Sequence, residues 1–185
     1  MFKLTESRQS FTHSLSPVMS DSVSRRRFVL AAASVLPWLG QAHAATRDWV
    51  LSVSGKIQVS NSAQGYGFTF DMLAALPQHQ FRTSTPWHTG TPQFSGPLLR
   101  TVLEHVKAQG QTLRAVGLND YAVDLPVSDA ERWDVIVALL QDGHPMPVRE
   151  RGPLFIIYPF DERSELRRQQ YINRSVWQLC RLEIS

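Results

Sequence analysis

Pro97-Leu98-Leu99-Arg100-Thr101-Val102-Leu103-Glu104-His105-Val106 carries the clearest helical signal in the chain, and the fold class follows from how isolated it is. Leu98, Leu99, Val102, Leu103 and Val106 recur at the spacing of one helical face. Pro97 suits a first turn and Gly110 supplies a stop, so the pattern predicts a helix opening at Pro97. Upstream, Trp49 to Ile57 alternates apolar and polar residues, which predicts a strand. Tyr66 to Phe70 is a second extended piece, Asp71 is a candidate cap for a short helix over Met72 to Leu76 that Pro77 stops, and Gln80 to Thr83 reads as a strand. Ser84 to Gly96, rich in Thr, Pro and Gly, reads as irregular.

Downstream, Leu113 to Leu118 and Tyr121 to Val127 are strand patterns joined through the turn dipeptide Asn119-Asp120. Ser128-Asp129-Ala130-Glu131 has capping-box spacing, and Val135 to Leu140 is a β-branched and aliphatic run. Asp142-Gly143 marks a tight turn, Leu154 to Tyr158 an apolar strand, Glu165 to Gln170 a short helix and Val176 to Ile184 a closing strand. Many short strands, one firm helix and no repeated βα unit predict an α+β domain with a mixed or antiparallel sheet.

The N-terminus reads differently. Ser24-Arg25-Arg26-Arg27-Phe28-Val29-Leu30, an apolar run to Leu39 and Ala42-His43-Ala44 form a secretory signal whose arginines resemble the twin-arginine type. An ordinary Sec signal rich in arginine is the other reading, since Leu30 stands where the twin-arginine pattern favours lysine. The apolar run is shorter than the roughly 20 residues of a membrane span and Pro37 interrupts it, so cleavage rather than anchoring is expected. Met19 is a second possible start. The expected organisation is therefore a leader over residues 1–44, one domain over 45–185, and a periplasmic destination.

The chain has 19 Lys+Arg and 16 Asp+Glu, for a net charge of +3, but the excess lies in the leader. Residues 45–185 carry equal numbers of each sign, so composition gives no support for a nucleic-acid partner. Cys180 is the only cysteine, which excludes an intramolecular disulfide. In the closing strand it shares a face with Val176, Gln178, Leu182 and Ile184, and a buried core position is expected for it. No pair among His79, His88, His105 and His144 has compact metal-ligand spacing, and no metal site is expected from them. A serine hydrolase built on Ser84 and His88 lacks an orienting acid at recognisable spacing.

Five short motifs stand in an informative order: Phe94-Ser95-Gly96-Pro97-Leu98-Leu99-Arg100; Asn119-Asp120-Tyr121 with Leu125-Pro126-Val127; Asp142-Gly143-His144-Pro145-Met146; Arg151-Gly152-Pro153-Leu154; and Tyr158-Pro159. Together they resemble the oxidoreductase molybdopterin-binding domain of the sulfite-oxidase-like fold. Within that family the chain looks most like small periplasmic pterin-binding proteins, some of which are paired with membrane diguanylate cyclase/phosphodiesterase receptors of cyclic-di-GMP signalling. Catalytic members hold molybdenum through a loop cysteine, at about the place where this chain has Arg82-Thr83-Ser84-Thr85-Pro86-Trp87. Hydroxyls are no substitute for a soft thiolate, so the resemblance implies a bound reduced pterin or molybdopterin with molybdenum not expected.

The candidate binding residues follow. Thr83, Ser84, Thr85, Trp87 and His88 offer an aromatic face and hydroxyls, and Asn119, Asp120 and Tyr121 offer an amide, a carboxylate and a phenol. A carboxylate can accept both N–H groups of a pterin edge while an indole covers the ring. For Trp87 packing is an equal alternative. By the resemblance, Arg174 and Trp177 approach the cofactor, although Arg174 can equally pair with Asp161 or Glu162 as a surface ion pair. A non-catalytic binding module, a molybdopterin-dependent oxidoreductase or a subunit of one, and a ligand-free adaptor are the three readings.

Overall fold

Strand formation in this chain is governed by what each residue can bury. Leu51 and Val53 are fully buried while the alternating Ser52 and Ser54 are half-buried, the signature of a strand with one face on the core. The structure, a computed structural model, describes residues 48–185, and the predicted leader lies outside them. In chain order the strands are β1 (Leu51–Gly55), β2 (Tyr66–Phe68), β3 (Gln78–Arg82), β4 (Gln93–Pro97), β5 (Thr112–Gly117), β6 (Ala122–Pro126), β7 (Ile136–Ala138), β8 (Leu140–Gln141), β9 (His144–Pro145), β10 (Phe155–Ile157) and β11 (Leu179–Ile184). The α-helices are α1 (Phe70–Ala74), α2 (Leu99–His105), α3 (Ser128–Arg132) and α4 (Gln169–Arg174).

A five-stranded sheet runs in the order β2-β1-β11-β5-β6, and a four-stranded sheet in the order β3-β4-β8-β9. β1 and β11 pair in parallel, and every other pairing in both sheets is antiparallel. β7 and β10 form a separate antiparallel pair whose residues are all buried, which is why these stretches read as unbroken apolar runs. The α+β class with a mixed sheet is what the chain adopts.

Several local expectations need correction. Pro97 ends β4, paired with Gln78, and Leu98 takes the N-cap of α2. Lys107, at φ 50°, turns the chain after the helix, whereas a Cβ on Gly110 would run into Ile184 and Ser185. Thr69, not Asp71, caps α1, its Oγ1 accepting from the Met72 N–H at 3.2 Å. β4 lies within the stretch that reads as irregular: Gly96 passes so close to Val137 of β7 that any Cβ would strike its carbonyl, a contact that local pattern does not encode. The helix expected over Glu165 to Gln170 is instead a 3-10 turn, Ser164–Arg167, followed by α4.

The last strand carries the largest change of face. Its register shifts between Leu179 and Arg181, so Leu179, Leu182 and Ile184 are buried and the strict alternation fails. Cys180 lies in that irregularity, half-buried, with its Sγ donating to the Val116 carbonyl at 3.5 Å. Burial holds its thiol above the ordinary value, with Asp120 adding to the rise against Arg181.

Candidate functional site

Three segments distant in sequence meet around one open cleft of about 390 Å³. The loop after β3 contributes Pro86 and Trp87, the β5–β6 turn contributes Asn119 and Tyr121, and α4 with the residues after it contributes Gln169, Ile172, Asn173, Ser175 and Trp177. No charged side chain is among these residues. The walls are tied together. Tyr121 donates its hydroxyl to the Asn173 carbonyl at 2.8 Å, and Asn119 Oδ1 accepts the Tyr121 N–H at 3.3 Å. Trp177 forms a β-bridge with Phe155, and the Trp87 ring meets the same Phe155 edge-on at 5.6 Å.

The Trp87 loop is built by short-range hydrogen bonds. Thr85 Oγ1 accepts the Trp87 N–H at 3.2 Å, and its hydroxyl lies 2.7 Å from His88 Nδ1, which acts as acceptor when Thr85 donates. His88 turns away from the cleft and packs on Phe94 and Phe155. Burial, and then the positive charge of Arg151, hold its imidazole below the ordinary pKa of 6.5 against the opposing pull of Asp142 and Gln141. Thr83 is fully buried and accepts the Asp161 N–H at 3.1 Å. Ser84 donates both its N–H and its hydroxyl to the Asp161 carboxylate, each at 2.6 Å. Ser84 and Thr85 line a neighbouring hollow of about 210 Å³ with Phe160 and Arg167, separated from the cleft by Pro86 and Ile172, which line both.

Of the candidate residues, Trp87, Asn119, Tyr121 and Trp177 thus share the cleft. Asp120 does not line it: with φ 62° it is the left-handed residue of the β5–β6 turn. Arg174 does not line it either, and the expected pairing with Asp161 or Glu162 gives way to a buried partner. Its Nη1 donates to Asp129 Oδ2 at 2.8 Å, and the same oxygen accepts the Tyr158 hydroxyl at 2.8 Å. Asp129 is 8 % and Arg174 23 % exposed at the side chain, so this is an interior pair, formed because α3 delivers a carboxylate beneath the end of α4. Burial and that carboxylate push the Tyr158 phenol far above its ordinary value.

Gln169, Ile172, Asn173 and Ser175 were not foreseen as cleft residues, and no spacing signal marks them, because α4 reaches the cleft only through tertiary packing. Chemically, the lining offers two indoles, amides that donate and accept, and hydroxyls. That set suits a flat, uncharged heterocycle with a polar edge, and the ring of a pterin fits it. Cys180, the only cysteine, is absent from the lining, so the cleft presents no thiolate.

No curated protein matches the chain. The family model described as the oxidoreductase molybdopterin binding domain matches residues 39–161, about two thirds of the chain, and ends before α4. The loop wall and the β5–β6 turn fall inside the matched stretch, and by that match the chain belongs to the oxidoreductase molybdopterin-binding domain family.

Proposed function

We propose that the protein binds a reduced pterin noncovalently in the cleft between Trp87 and Trp177, as an exported, non-catalytic ligand sensor. The observation that carries this reading is the composition of the lining, two indoles with Asn119 and Asn173 and no charged side chain. A pterin held there would lay its ring on an indole and offer its amino-pyrimidinone edge to the amides, which exchange hydrogen bonds with it without burying a charge. Export rests on the leader at Ser24 to Ala44: a twin-arginine route carries folded chains, so a cytosolic ligand would be enclosed before crossing. Control of a membrane diguanylate cyclase/phosphodiesterase partner rests on family analogy. It requires that ligand-bound and ligand-free forms differ in affinity for that partner.

Family membership favours a second reading, a molybdopterin-dependent oxidoreductase or a subunit of one. One preparation separates the two. The full chain is expressed with its own leader and extracted without oxygen, and bound small molecules and molybdenum are quantified. A pterin at about one per chain without molybdenum supports the sensor. Stoichiometric molybdenum supports the enzyme, and an empty protein that ignores added pterin defeats both.

A further inference from the structure

We infer that Asp161 is a positioning residue that clamps the Trp87 loop to the chain entering α4 and so sets the width of the cleft, an inference that builds on the pterin reading. Asp161 does not line the cleft. Its Oδ2 accepts the Ser84 N–H and its Oδ1 accepts the Ser84 hydroxyl, each at 2.6 Å, while the Arg167 guanidinium donates to Oδ1 at 2.8 Å. Its own N–H is held by Thr83 Oγ1 at 3.1 Å. Ser84 lies three residues before Trp87, and Arg167 lies two residues before Gln169, the first residue of α4. One carboxylate therefore ties the two walls at the point where Pro86 and Ile172 separate the cleft from the neighbouring hollow.

Only an ionised carboxylate accepts all three donors at once. Asn has a single acceptor oxygen, and its NH2 would face the Ser84 or Arg167 donors. The Asp161 side chain is 26 % exposed, so replacing it opens no core cavity. A role confined to overall stability would consequently leave the loop no looser than the rest of the molecule.

The test is amide hydrogen exchange on the ligand-free full chain, with wild type, Asp161→Asn, Asp161→Glu and Ser84→Ala compared, followed by anoxic titration with the reduced pteridine 2-amino-4-oxo-5,6,7,8-tetrahydropteridine. In Asp161→Asn, exchange over residues 84–90 should rise by about tenfold while β1 and β11 stay unchanged, and the affinity for the pteridine should fall by about tenfold. Asp161→Glu should recover part of both, and Ser84→Ala should show a smaller rise, since it keeps the Ser84 N–H. Unchanged exchange in Asp161→Asn overturns the inference, as does a rise spread evenly over both sheets. A local rise with a wild type that ignores the pteridine leaves the clamp standing and removes the pterin reading instead.

Discussion

The two walls of the cleft are held by opposite kinds of interaction. The Trp87 wall hangs on hydrogen bonds at the surface, with Ser84 exposed and the partly exposed Asp161 carboxylate taking its N–H and hydroxyl. The α4 wall is anchored from below by Arg174, whose guanidinium reaches the buried Asp129 carboxylate that Tyr158 also donates to. Surface bonds exchange with water and contribute little net stability, whereas an interior pair broken on one side leaves an uncompensated charge. One wall is thereby local and adjustable, and the other is coupled to the global fold.

The contrast can be broken from beneath. Phe155 is fully buried, touches Trp87 and His88 and bridges Trp177, so it supports both walls. Phe155→Ala should cost about 4 kcal/mol of stability in chemical denaturation and abolish any ligand binding with it. Asp129→Ala should cost about 3 kcal/mol, because Arg174 and Tyr158 lose their shared acceptor. An unfolding midpoint unchanged in Asp129→Ala would show that the α4 wall is as soft as the loop. Trp87→Ala should do the reverse: pterin affinity down by about tenfold, measured by calorimetric titration, with a stability loss of about 1 kcal/mol. A large stability loss there, with no ligand in either protein, would make Trp87 a packing residue.

The smallest expected effect is the pH response of His88. Its folded pKa lies below 6.5, chiefly because burial disfavours the charged ring. The unfolded chain then binds the proton more readily, so the contribution of His88 to stability is complete above 6.5 and is lost as pH falls through that value toward the folded pKa. Thermal midpoints between about pH 8 and 5 should fall more steeply for wild type than for His88→Gln. Parallel curves would show that the His88 imidazole takes up its proton alike in the folded and unfolded chain.

Much of the architecture is legible in the amino-acid sequence. The alternation in β1, the face of α2 and the Asn119-Asp120 and Asp142-Gly143 turns each follow from chemistry within a few residues. The last of these is visible in the left-handed φ values of 49° and 80° at Asp142 and Gly143. Some misses were local, as at Thr69, which caps α1 from three residues before Met72, but for two strands the deciding contact was distant. β4 pairs with β3 and β8 while Gly96 lies close against Val137, and the face of β11 is set by its shifted register against β5. Within the cleft, Trp87, Asn119, Tyr121 and Trp177 were reached through the family resemblance, but Asn173 and Ser175 have no such mark.

The amino-acid order alone determined that segments such as β1, β5 and β6 extend, which one coils into the main helix, and that the only thiol is Cys180. Those properties are local, fixed by side-chain periodicity, backbone preference and composition. Only tertiary structure decided that Trp87 and Trp177 face one cleft, that Arg174 turns inward to Asp129 and that Asp161 spans the two walls. The physical reason is that such pairings depend on strand register and on which buried surfaces meet, and neither is written in any one stretch of chain.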